Sequence, residues 1–295
     1  MKESLSACLF NGQILHPGQL TLPELARGFM YGDGVFETLR ARNFVIFRWQ
    51  DHWERLVKGL RLCQIHLEKE CDQIRQEIVR LLSRYQLYDA YVRVNVWRKQ
   101  PDIFDPGKEE GGHLLIFARP FFPYPAADYL RGISCLVSRR FQKNENSALA
   151  CVKSLNMLEN ILARLEAKQS GYQDAFLCNT RSYLSEATTA NIFFVKNGVI
   201  CTPDLESGAL PGITRKIILS LCSQKNLPVQ EGKFFPDQLK TASEVFLTNT
   251  LMGVMPVREV GGIFSGKNFP FAHMLQDELN HLFLEETSEQ YQKNT

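Results

Sequence analysis

Residues 91–98 alternate without a break: Tyr91, Arg93, Asn95 and Trp97 fall on one side of an extended chain, and Val92, Val94 and Val96 on the other. A period of two is the signature of a strand with one buried face. The valine face needs core helices to cover it, and two helical patterns lie just upstream. The first starts near Asp51, a suitable N-cap, and carries Trp53, Leu56, Leu60 and Leu62; the second runs from Cys71 to Tyr85 with Ile74, Ile78, Leu81 and Leu82 on one side. The polar strand face is then left to line a cleft.

The rest of the first half is strand-rich. Residues 8–15 read as a hairpin turning at Asn11-Gly12, and 34–40 with 44–48 as a second hairpin around Ala41-Arg42-Asn43. A further strand covers 113–118. The stretch from Arg119 to Pro125 holds three prolines among aromatics, which continue neither strand nor helix, and it marks an interdomain linker. Beyond it, strands are expected at 133–138, 174–178, 190–196, 199–202, 244–248 and 254–257. Helices are expected at 156–169 (closed by Gly171), 214–223 and 271–286, with a frayed polar tail. The expected fold class is a two-domain α/β (α+β) protein: a small N-terminal domain over 1–119, a linker over 120–131, and a larger C-terminal domain over 132–295.

Composition narrows the function. The formal net charge of +2 comes without a dense Lys/Arg block, which argues against nucleic acid as the main partner. The N-terminus lacks the apolar run of a signal peptide and no stretch approaches a membrane span, so the expectation is a cytoplasmic protein with no membrane partner. Eight cysteines are scattered singly, mostly in apolar runs, and read as small core residues; no metal-ligand spacing appears among cysteines or histidines. Gly32-Asp33-Gly34 begins like a dinucleotide fingerprint, but no strand precedes it and Glu37 stands where the third glycine belongs. Two polar features remain. Pro211-Gly212-Ile213-Thr214 opens an apolar-periodic helix, with Thr214 as a fair N-cap, and is either an anion cradle or an ordinary turn and cap. Thr248-Asn249-Thr250 ends a strand.

Five segments in order resemble the fold-type IV pyridoxal-phosphate enzymes, a family that includes branched-chain aminotransferases, D-amino acid aminotransferases and 4-amino-4-deoxychorismate lyases. They are RGFMYGDGVFETLR (27–40), VKSLNMLENI (152–161), LSEATTANIFFV (184–195), GALPGITR (208–215) and EVFLTNTLMGVMPV (244–257). The resemblance implies a D-amino acid aminotransferase-like fold with pyridoxal 5′-phosphate in the interdomain cleft. It implies that Lys153 holds the cofactor as a Schiff base and moves the substrate's Cα proton. Glu186 would pair with the pyridine nitrogen. Arg55, Ile213, Thr214 and Thr250 would grip the phosphate. Tyr31 and Phe36 match pocket-lining positions, and Glu37 is common among the transaminases. Arg93, on the polar strand face, would meet a substrate carboxylate, with Arg98 as the other candidate.

The implied activity is amino transfer from an amino acid, branched-chain-like or related, to a 2-oxo acid by a homodimer. Two alternatives stand beside it. One is a lyase that releases pyruvate and 4-aminobenzoate, to which the KSLNML stretch is close. The other is a cofactor-binding regulatory protein without catalysis. The tyrosine that branched-chain enzymes carry shortly after the lysine is absent here. So is a clear arginine–histidine pair of the D-amino acid type.

Overall fold

The computed structural model describes residues 6–22, 26–99, 105 and 111–294, with backbone alone at 17 and 289–294. The chain divides into two compact units: Met1–Phe122 with Val152–Asn156 and Phe283–Thr295, and Pro123–Cys151 with Met157–Leu282.

The first unit is built on an antiparallel six-stranded sheet of order β2-β1-β6-β5-β3-β4. Its strands are β1 (Ala7–Phe10), β2 (Gln13–Leu15), β3 (Gly34–Arg42), β4 (Val45–Ile46), β5 (Asp89–Arg98) and β6 (Gly112–Pro120). Its helices are the short α1 (Arg27–Met30), then α2 (Trp49–Leu62) and α3 (Cys71–Arg84). The expected hairpin at Asn11-Gly12 is present, with both residues at positive φ. The second hairpin turns later than expected, at Asn43-Phe44, because β3 keeps pairing with β5 as far as Arg42 and Asp89. Val92, Val94 and Val96 are fully buried, as are Ile74, Ile78, Leu81 and Leu82 of α3; each such side chain contributes roughly 1.5–3 kcal/mol. Asp51 is not the cap of α2. Arg48 takes that position in the left-handed conformation, and Asp51 lies in the first turn, where its charge suits the helix's positive end. Leu62, expected on the buried face, is exposed.

The second unit contains α4 (Ala126–Arg131), β7 (Ile133–Lys143), α5 (Leu158–Gln169), β8 (Asp174–Asn179), β9 (Leu184–Ala187), β10 (Asn191–Lys196), β11 (Val199–Pro203), α6 (Ile213–Gln224), β12 (Val229–Gly232), β13 (Glu244–Asn249), β14 (Gly253–Val260), β15 (Phe264–Ser265) and the first half of α7 (Pro270–Asn294). Its strands run in the order β12-β11-β10-β13-β14-β7-β8-β9, and β9 also pairs with β10, which closes six of them into a ring. Phe176, Leu184, Ile192, Phe194, Leu247 and Val257 belong to the core of this unit. Glu244 accepts the N–H groups of Phe271 and Ala272 and so caps α7 from the neighbouring strand.

Within the stretch expected as a linker, β6 runs on to Pro120, a strand end where a missing N–H is tolerated, residues 121–125 form neither strand nor helix, and α4 begins directly after Pro125. Two sequence expectations are corrected here. Thr214 is not the cap of α6; Gly212 is. The tail beyond 286 is helical to Asn294. All eight cysteines are free, five of them buried. No cluster of metal-ligating side chains occurs among the described residues, and no helix among them is long and apolar enough to cross a membrane.

Candidate active site

In the first unit Lys153 sits on a backbone clamp. Its carbonyl accepts the Phe36 N–H at 2.9 Å, and the Leu155 N–H donates to Gly34 O at 2.9 Å, so residues 153–155 pair with the start of β3. The glycines that resembled a nucleotide fingerprint serve this clamp. Gly32 has φ +64, and its carbonyl accepts from the Asn156 amide; a Cβ on Gly34 would stand 2.4 Å from Val96 O. Asp33 between them is held below the usual carboxylate range, since hydrogen bonds from Arg27 and Arg98 outweigh burial.

Lys153 Nζ lies 4.6 Å from the centre of the Phe36 ring, and Arg93 Cζ lies 3.8 Å from the same centre. The two cations are therefore no further apart than those two distances together. Arg93 Nε donates to Asn95 Oδ1 at 2.9 Å. Strand pairing puts Phe36 opposite Asn95 and Thr38 opposite Arg93, on the sheet face away from the buried valines. Tyr31, at the end of α1, is partly exposed with the Arg27 guanidinium beside its ring. Arg98 differs from Arg93. It donates to Asp33, to Gln64 O at 2.9 Å and to Cys63 O at 2.7 Å, which commits its guanidinium to the scaffold.

The other face of β3 carries Glu37, which is buried. Arg55 on α2 donates to both its oxygens, at 2.7 and 2.8 Å, and His52 Nδ1 lies 2.8 Å from Oε2. Burial alone would raise the Glu37 carboxyl, but Arg55 and His52 together hold it well below the carboxylate range. Burial lowers His52 against the pull of Glu37, with Arg55 and Lys153 adding to the lowering. His52 carried no signal in the sequence beyond standing three residues before Arg55, on the same helix face.

In the second unit the buried Glu186 lies on β9, opposite Asn191 of β10. Its Oε2 accepts the Leu210 N–H at 2.9 Å and its Oε1 lies 2.9 Å from Lys143 Nζ. Asn191 donates to Leu210 O at 2.9 Å and fixes the same loop. This loop leads into α6, whose N-terminus has no side-chain cap and no acid in its first turn. Ile213 and Thr214 are its first residues, and both are buried. A Cβ on Gly212 would meet Asn191 Oδ1 at 2.0 Å, so a larger residue there would displace the amide that holds Leu210 O. Thr248, paired with Asn191 across β13 and β10, is 1% exposed, and its hydroxyl has no hydrogen-bond partner among the described residues. Thr250 follows in a loop shaped by Asn249, whose Oδ1 accepts the N–H groups of Leu251 and Met252.

A sequence model of the amino-transferase class IV family matches residues 34–260. The chain belongs to the class IV aminotransferases. A putative branched-chain-amino-acid aminotransferase of Methanocaldococcus jannaschii is 33% identical over 85% of this chain and 87% of its own. The crystal structure of Escherichia coli branched-chain amino acid aminotransferase superposes with a TM-score of 0.89 at 28% identity, covering 95% of each chain. A putative 4-amino-4-deoxychorismate lyase from Legionella pneumophila gives 0.81 at 27% identity, over 90% of this chain and 97% of that one. The fold-type IV resemblance read from five segments is thus borne out, and the chain is an enzyme, an aminotransferase that works with pyridoxal 5′-phosphate. The residues present fit that cofactor. An uncapped helix N-terminus and an orphaned buried hydroxyl suit a phosphate, a buried carboxylate suits a ring nitrogen, and a clamped lysine suits an aldehyde.

Proposed function

We propose that this aminotransferase moves an amino group from a branched-chain or related amino acid to a 2-oxo acid, with Lys153 as its catalytic base. The observation that carries this reading is the shared Phe36 ring: Arg93 Cζ lies 3.8 Å and Lys153 Nζ 4.6 Å from its centre, which supports Arg93 as the arginine for a substrate carboxylate. Pyridoxal 5′-phosphate supplies the aldehyde that takes the amino group and the ring that accepts electrons from the breaking C–H bond. Lys153, Arg55, Glu186, Ile213, Thr214 and Thr250 are the residues that would hold it. Lys153 Nζ removes the proton from the substrate's Cα, and Arg93 orients the substrate through a charge-assisted hydrogen bond to a carboxylate. Tyr31 and Phe36 line the side-chain pocket. Arg98, bound to Asp33 and two carbonyls, ties β5 to the turn before β3 and to the chain just past α2.

The test is a pair of arginine variants assayed with leucine, valine, D-alanine and aminodeoxychorismate. Arg93→Lys should raise the KM of the carboxylate it binds by on the order of 10- to 100-fold with little change in stability, because lysine cannot copy the planar fork. Arg98→Lys should lower the melting temperature instead. Release of 4-aminobenzoate, without amino transfer from any amino acid, would replace this reading with the lyase one. A bound cofactor with no turnover of any substrate would favour the regulatory reading.

The same proposal includes a homodimer in the cytoplasm, where free amino acids and 2-oxo acids are available. Each unit exposes apolar side chains that a second copy would cover: Phe29 and Met30 on α1, and Leu158, Ile161 and Leu165 at helical spacing on α5. Sedimentation equilibrium should give twice the chain mass of 33.8 kDa, and a monomer at micromolar concentration would refute it.

A further inference from the structure

Lys143 is the last residue of β7, and a register shift after Val137 sets how it meets β8. Beyond that irregularity Lys143 stands opposite Asn179, while Glu186 stands opposite Leu177 on the other side of β8. The lysine reaches across β8 to bring Nζ to 2.9 Å from Glu186 Oε1. Both partners are largely buried, with side-chain exposures of 18% and 10%. With the Leu210 N–H on Oε2, each oxygen of this carboxylate already has one donor. An exposed surface pair would carry little meaning, but a pair this buried is screened weakly.

We propose that Lys143 is a positioning residue that shares the Glu186 carboxylate with the cofactor's ring nitrogen and so sets how tightly the ring holds its proton. The inference rests on the proposed pairing of Glu186 with that nitrogen. Lys143 does two things to the carboxylate. It holds Oε1 in place, so that Glu186 has one orientation before the cofactor arrives. It also adds a second positive charge beside the site where the ring nitrogen is protonated, and like charges a few ångströms apart oppose each other. A carboxylate divided between two cations holds the ring proton less firmly than one that serves the ring alone. Lys143 therefore moderates the electron-withdrawing power of the ring.

The test uses the holoenzyme loaded with pyridoxal 5′-phosphate carrying 15N at the ring nitrogen, and follows its chemical shift with pH. In Lys143→Met the ring should keep its proton to a pH about one to two units higher than in the wild type. Lys143→Arg should titrate like the wild type, since it restores the charge. Where Lys143→Met binds too little label, Lys143→Gln, which keeps an N–H donor but no charge, carries the same comparison. Coincident titrations of the wild type and the uncharged variants would overturn the inference. A purely structural lysine would change cofactor occupancy and leave the titration where it was. Glu186→Gln separates the two levels of the argument: if it does not alter the ring's titration, the proposed role of Glu186 fails and not merely that of Lys143.

Discussion

Replacing Lys153 with alanine should stop amino transfer while leaving the fold intact and the cofactor bound without a covalent link. The backbone around Lys153 is held by main-chain hydrogen bonds to Gly34 and Phe36, which do not depend on the side chain. Stability should therefore change by less than about 1 kcal/mol. Activity should fall by roughly 10³- to 10⁴-fold or more, because in the proposed mechanism the residue would supply both the attachment point and the base that moves the Cα proton. Borohydride treatment followed by mass spectrometry checks the first role: the wild type gains the cofactor's mass on Lys153 and the variant gains none. Attachment at another lysine, or turnover within tenfold of the wild type, would defeat the assignment. Lys143 is a poor substitute, since its ammonium is engaged by Glu186.

β5 and β6 were legible because each buries alternate residues over most of its length. The alternation at 91–98 names the buried valines directly, and the burial of Val92, Val94 and Val96 follows it position by position. β9 was missed for the opposite reason: all four of its residues are buried, so no alternation marks it, and it is too short to show as an apolar run. Glu186 lies on that strand, and only the five-segment resemblance pointed to it. Capping residues were misplaced where tertiary contacts outrank local preference. Arg48 starts α2 because its N–H donates to the Glu286 side chain, far along the sequence, and Asp51 has no comparable tie.

Side-chain partnerships are the part of the site that the sequence does not carry. Arg93 and Arg98 sit on one strand and look equivalent in a list of residues, yet among the described residues only Arg98 has an acidic partner and two carbonyls around it. Glu37 entered as a residue common among transaminases. In the fold it lies on the α2 side of β3, opposite the face that carries Phe36, and its partners are Arg55 and His52. Nothing in the spacing from 37 to 55 announces that a strand and a helix will bring the three together; that depends on α2 packing across β3.

Those partnerships make Glu37→Gln the most disruptive single change expected outside the lysine. The substitution keeps the volume but removes the charge, leaving the Arg55 guanidinium in a buried site without its two-point carboxylate. Breaking a buried pair in this way costs about 3–5 kcal/mol, and Arg55 would also be less well placed for a phosphate. The pH dependence separates this mechanism from general damage. Glu37 has a folded pKa below its ordinary 4.5, so its stabilisation is fully present above that pH and is lost as pH falls toward the folded value. His52 has a folded pKa below its ordinary 6.5, so in the wild type stability begins to fall below about that pH as the unfolded chain takes up the proton. In Glu37→Gln the histidine loses the anion that pulled its pKa up, and its share of the acid sensitivity below 6.5 should grow. The carboxylate's own share, below 4.5, should vanish. Urea unfolding between pH 3.5 and 8 measures both. The gap between wild type and variant should be large at neutral pH and narrow below pH 4.5; a gap that stays constant down to pH 3.5 would mean that the ionised Glu37 does not hold Arg55 and His52 in place.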